Sequence, residues 1–112
     1  MALVGWLNHK RRVPLQVLAG DFNETPDGPA NVFMRQSYRS AYAEVKGRDP
    51  LATFPTSLAK ASPLWAGCLD YVFVSPAVYR VTGASIFLDK PAPDDDTLYP
   101  SDHVGLLIGL EV

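Results

Sequence analysis

With 112 residues, 47% of them hydrophobic and 20% charged, the chain suits one soluble globular domain and excludes a disordered polyelectrolyte, a fibrous repeat or a membrane-spanning bundle. A chain of this length buries roughly two-thirds of the surface it exposes when unfolded, so a core is within reach. Ten basic against 12 acidic side chains leave a net charge of −2, which offers no bulk attraction to nucleic acid or an anionic membrane; a bound phosphate must be held locally.

Residues 2–10 read as the end of a helix, because Leu3, Trp6 and Leu7 recur at offsets of three and four, and Lys10, Arg11 and Arg12 suit a solvated helix terminus. Pro14 closes that helix. The apolar run 15–19 predicts a strand covered on both faces, ending at Gly20. Asp27, Gly28 and Pro29 mark a turn and a helix start, with Ala30, Val32, Phe33 and Met34 supplying about two turns.

Residues 38–66, with Tyr38, Tyr42 and three scattered prolines, read as a long irregular loop. A second strand runs from Leu69 to Val74 and is broken by Ser75-Pro76; a third covers 78–88 with Gly83 as a bulge. The segment from Pro91 to Pro100, with Asp94, Asp95 and Asp96, is solvated loop, and 104–110 is a fourth, buried strand. No repeat or second domain interrupts 1–112. The single cysteine, Cys68, cannot form an internal disulfide and reads as an inert apolar filler; with no export pattern at the start, the expected location is cytoplasmic.

Three polar strings stand at the edges of the apolar runs: Gly20-Asp21-Phe22-Asn23, Leu69-Asp70-Tyr71 and Ser101-Asp102-His103. Asp21 and Asn23 are two positions apart, so extended backbone points both to one side. The carboxylate can ligate a hard cation or take a proton from water, and the neutral amide can donate to a phosphate oxygen. Asp70 shares its strand face with Val72 and Val74, where an unpaired charge is costly, and His103 is the most economical partner. Asp102 projects to the opposite side and could take a metal. For the three strings to meet, the first strand must point toward the rim from which the second and fourth depart. Trp65 and Tyr99 offer ring faces for stacking, although packing explains each as well.

These strings, in this order, resemble the endonuclease/exonuclease/phosphatase superfamily with its DNase-I-like fold, and Thr53-Phe54-Pro55 is similar to that family's substrate-side loop. The resemblance implies an α/β (α+β) chain, the C-terminal half of a helix-flanked β-sandwich with mixed or antiparallel strands, and a Mg2+- (or Mn2+-) dependent phosphoester hydrolase. It implies that Asp21 activates water or holds the metal, that Asn23 orients the phosphate, and that Asp70 orients His103. His103 would stabilise charge on phosphorus, and Asp102 would help hold the metal.

Family members are usually much longer, and their first half supplies an Asn and a metal-ligating Glu in a Gln-Glu string. Neither Glu24, Glu44 nor Glu111 lies in such a context. The expected partners are therefore a phosphate-ester substrate and either a second copy or a missing N-terminal half. The alternative is a catalytically inactive interaction module that uses an open sheet face.

Overall fold

The residues of the strand Asp70–Val74 alternate between two cores, and the rest of the fold is arranged on either side of it. A computed structural model describes residues 14–56 and 65–112. In chain order the elements are β1 (Val17–Asp21), α1 (Pro29–Met34), β2 (Arg39–Ser40), α2 (Ala41–Lys46), β3 (Asp70–Val74), β4 (Arg80–Phe87) and β5 (Gly105–Glu111). β3 lies between β1 and β2, antiparallel to both, while β4 and β5 form a separate antiparallel pair. The architecture is mixed α+β, with antiparallel sheets and few helices.

Period-two alternation divides β3. Tyr71 and Phe73 turn to one side, where they join Met34 of α1, Tyr38 and Cys68, with Leu18 and Phe22 packed against them. The Phe22 ring sits 5.6 Å from Tyr71 at an edge-on 70° and 5.3 Å from Phe73. Val72 and Val74 turn to the other side, against Ala41, Val78, Val81 and, from β5, Ile108 and Leu110. Each large side chain buried this way contributes about 1.5–3 kcal/mol.

The two layers are tied together by polar bonds as well. The Arg39 guanidinium pairs with Glu44 at 2.6 Å and donates to the Val78 carbonyl at 2.9 Å, while Glu44 accepts the Val81 N–H at 2.9 Å. The Val81 N–H first, and Arg39 after it, hold the Glu44 carboxyl below its ordinary range despite opposing desolvation.

Several sequence expectations shift. The first strand runs through Gly20 and Asp21, so its motif stands on the strand rather than beyond it. It is also not covered on both faces: Leu15 and Val17 are 46% and 53% exposed. The 38–66 segment is not wholly irregular, since β2 and α2 lie inside it. Ser40 caps α2 by accepting the Ala43 N–H, and Gly47, at φ 84°, ends it in the left-handed region. A six-residue helix spans too little chain for the apolar period to register.

The bulge expected at Gly83 corresponds to a register shift between Val81 and Gly83, and the last strand is displaced by one residue to Gly105–Glu111. The helix expected over 2–10, with Lys10, Arg11 and Arg12, lies outside the described residues. Among the described residues no helix is long and apolar enough to cross a membrane.

Candidate active site

Antiparallel pairing of β1 with β3 sets Val17 opposite Val74 and, at the other end, Asp21 opposite Asp70. Residues directly opposite in such a ladder share a face, and two carboxylates there repel unless a cation or donor comes between them. His103 takes that place. Its Nδ1 is 2.7 Å from Asp70 Oδ2 and its Nε2 is 3.8 Å from Asp21 Oδ2. A ligand atom from each of Asp21, Asp70 and His103 lies within 4.8 Å of the others.

A carboxylate only accepts, so Nδ1 carries the proton and donates it to Asp70, leaving Nε2 facing outward toward Asp21. This bond to Asp70 raises the imidazole's affinity for a proton; desolvation opposes it, and the charges of Asp70, Asp21 and Asp102 add to it.

The backbone that carries His103 is held by one local bond and one from a segment distant in sequence. Ser101 Oγ accepts the His103 N–H at 3.1 Å, and the Asp102 carbonyl accepts the Thr56 N–H at 2.9 Å. The Phe54 ring lies 5.1 Å from the imidazole. Thr53, fully buried, is the joint of this assembly. Its Oγ1 accepts the N–H groups of Leu69 at 2.9 Å and Asp70 at 3.2 Å, while its carbonyl accepts the Val104 N–H at 2.9 Å. One side chain thus fixes the start of β3 and one carbonyl fixes the approach to β5.

Asp21 Oδ1 accepts the Asn23 N–H at 2.8 Å, and Asn23 adopts φ 54°, a left-handed conformation that asparagine tolerates better than most residues. The Asn23 side chain is exposed. The chain then turns back over buried Asn31, whose amide donates to the Thr25 carbonyl at 2.9 Å and whose N–H donates to Glu24 Oε1 at 2.6 Å.

Asp21, Asp70 and His103 therefore converge. Asp102 lies on the exposed side of the same loop and Asn23 beside Asp21, both outside the three-ligand group. Below Asp70 a cavity of about 170 Å³ is lined mainly by Ala19, Val72, Val104 and Leu106. Cys68 is 2% exposed and burial pushes its thiol up to about 11, which makes it a core atom and not a nucleophile.

Thr53 is the residue that pattern reading undervalued. Its bonds go to main-chain groups 16 and more residues away, and nothing local in Thr53-Phe54-Pro55 encodes them.

A helix-flanked pair of antiparallel sheets carrying an aspartate–histidine couple at one rim is a partial DNase-I-like fold. The model of the Endonuclease/Exonuclease/phosphatase family matches residues 3–103, and the chain belongs to that family. Among solved structures it is similar to an endonuclease/exonuclease/phosphatase family protein from Leptotrichia buccalis C-1013-b, with 21% identity and a TM-score of 0.65. That alignment covers 98% of this chain and 40% of the other, so the chain spans well under half the length of this neighbour. No curated protein matches it.

Proposed function

We propose that this chain carries the reaction centre of a metal-dependent phosphoester hydrolase acting on a phosphodiester or phosphomonoester. The observation that carries the reading is the imidazole of His103 bound to Asp70 at 2.7 Å with its second nitrogen turned toward Asp21. Bonded to Asp70, the ring favours the imidazolium form, whose Nε2–H can donate to a phosphoryl oxygen as charge builds on it. Asp70 is the group that orients the ring. Asp21 positions the attacking water or accepts its proton, and the exposed Asn23 amide donates to the phosphate without adding negative charge.

Mg2+ or Mn2+ suits the oxygen donors of this rim: Asp21 would hold it, with Asp102 reaching from its exposed loop. Such a cation supplies Lewis-acid polarisation of the phosphoryl group. Asp70 Oδ2 is already engaged by His103, so few oxygens remain and weak metal binding is expected. The proposed setting is a reducing cytoplasm, consistent with the unpaired thiol of Cys68.

Hydrolysis of bis-p-nitrophenyl phosphate tests the reading. We expect release that requires Mg2+ or Mn2+, ceases in EDTA and falls at least about a hundredfold in His103→Ala. Undiminished turnover in that variant would remove His103 from the chemistry.

The exposed Leu15 and Val17 support a second reading, in which β1 presents a face for a second copy or for a missing N-terminal half that completes the site. At its extreme this makes the chain a non-catalytic interaction module. Sedimentation velocity separates the two: self-association relieved by Val17→Lys supports docking, whereas a monodisperse monomer at high concentration argues against it.

A further inference from the structure

We propose that Asn31 is a positioning residue of the candidate active site: through the turn at Glu24 and Thr25 it holds Asn23 in its left-handed conformation, and with Asn23 the direction in which Asp21 faces. That Asp21 and Asn23 serve hydrolysis rests on the phosphoesterase reading; that Asn31 fixes their geometry does not.

Among the described residues only Asn23 and Leu88 combine a side chain with positive φ, Asn23 at 54°. Such a backbone persists only where its surroundings leave no easier alternative. On the near side Phe22 is fixed, since its N–H donates to the Leu69 carbonyl at 2.8 Å and its ring packs against Tyr71 and Phe73. On the far side Asn31 takes hold of the chain. Its side-chain amide donates to the carbonyls of Thr25 at 2.9 Å and Glu24 at 3.3 Å, and the Tyr71 hydroxyl, shared with the Cys68 carbonyl, reaches that of Glu24 at 2.9 Å. With both neighbours anchored, the Asn23 N–H meets Asp21 Oδ1 at 2.8 Å. That bond engages one carboxylate oxygen and leaves Oδ2 as the atom 3.8 Å from His103 Nε2.

The Glu24 side chain completes the clamp. It folds back under the turn so that Oε1 accepts the Asn31 N–H at 2.6 Å, a first-turn donor of α1 that the N-cap, Gly28, has no side chain to satisfy. Room for the carboxylate depends on Gly28. Its φ of −66° demands no glycine, yet an added Cβ there would stand 2.6 Å from Glu24 Cδ.

Asn31 itself is fully buried, and its Oδ1 has no hydrogen-bond partner among the described residues. An apolar residue would fill the place without an unpaired acceptor, so what the amide adds is its pair of bonds to the turn.

Amide hydrogen exchange followed by NMR, in the 112-residue chain with EDTA present, tests the clamp without turnover. Asn31→Leu removes the two donors and the unpaired acceptor at similar volume. In it the Asn23 amide should exchange about fivefold or more faster, while the central-strand amide of Phe73 changes much less. Gly28→Ala displaces the Glu24 side chain without altering Asn31; it should show the same selective acceleration, and it decides the matter where Asn31→Leu fails to fold. With Mg2+ restored, kcat for bis-p-nitrophenyl phosphate should fall about tenfold in both variants.

Equal acceleration at Asn23 and Phe73 in both variants is a loss of overall stability and overturns the inference, as does an unchanged Asn23 amide. Selective acceleration with undiminished kcat also overturns it, because the turn would then move without consequence for the site. In an unsubstituted chain that hydrolyses nothing, selective acceleration keeps the clamp and rejects the hydrolase.

Discussion

Thr53 shows how much of a candidate site can hang on a residue outside its cluster of ionisable side chains. Replacing it with valine keeps the shape but removes the acceptor for the Leu69 and Asp70 N–H groups, which costs about 1–3 kcal/mol for buried donors left unpaired. Thr53→Val should therefore lower the urea midpoint, while Thr53→Ser, which keeps the hydroxyl, should recover most of it.

His103 carries a second prediction. Its proton affinity is raised in the fold, first through Asp70, so its contribution to stability is whole below the ordinary imidazole value of about 6.5. That contribution is lost as pH rises through the raised folded value. The stability difference between the unsubstituted chain and His103→Ala should thus be larger near about pH 6 than near about pH 9. An unchanged or inverted difference would show that Asp70 does not favour the charged ring.

At the scale of elements, α2 depends on its ends. Six residues cannot sustain a helix alone, so the Ser40 cap, the left-handed Gly47, the bond of Arg39 to the Val78 carbonyl and that of Glu44 to β4 hold it. Gly47→Ala meets no atom within 4 Å, yet at φ 84° it should cost about 1 kcal/mol through backbone strain alone. The measure is a drop in thermal midpoint. β3 is the opposite case: Asp-Tyr-Val-Phe-Val declares its two faces by alternation, and Asp70 does lie on the Val72 side. α2 carried no such signal, because six residues are too few to show a helical period and its packing partners come from β3 and β4.

For the whole molecule, the organising fact is that β3 supplies the wall of both cores. Phe73 is fully buried at their junction with β1 and β2, so Phe73→Ala should cost about 3–5 kcal/mol, a large share of the 5–15 kcal/mol typical of a folded domain. Chemical denaturation should show that loss, and the imidazole couple should weaken with it. The exposed face of β1 has the opposite character: its strand pairs with β3 yet leaves Val17 half in solvent, a surface suited to covering by another chain or segment.

Local pattern was enough to reveal four apolar strands, the alternation of β3, and three polar strings whose chemistry points to phosphate esters, because periodicity and residue type are properties of short stretches of chain. The meeting of Asp21, Asp70 and His103 belongs to the tertiary structure. It follows from an antiparallel register that sets Asp21 opposite Asp70, and from Thr53 bonding segments that approach one another only after folding. Exposure of charge is decided the same way: the Asp49 side chain is only 6% exposed, held by Arg35 and Ser40. Charge along a sequence can be counted, but which of it faces solvent is settled by packing.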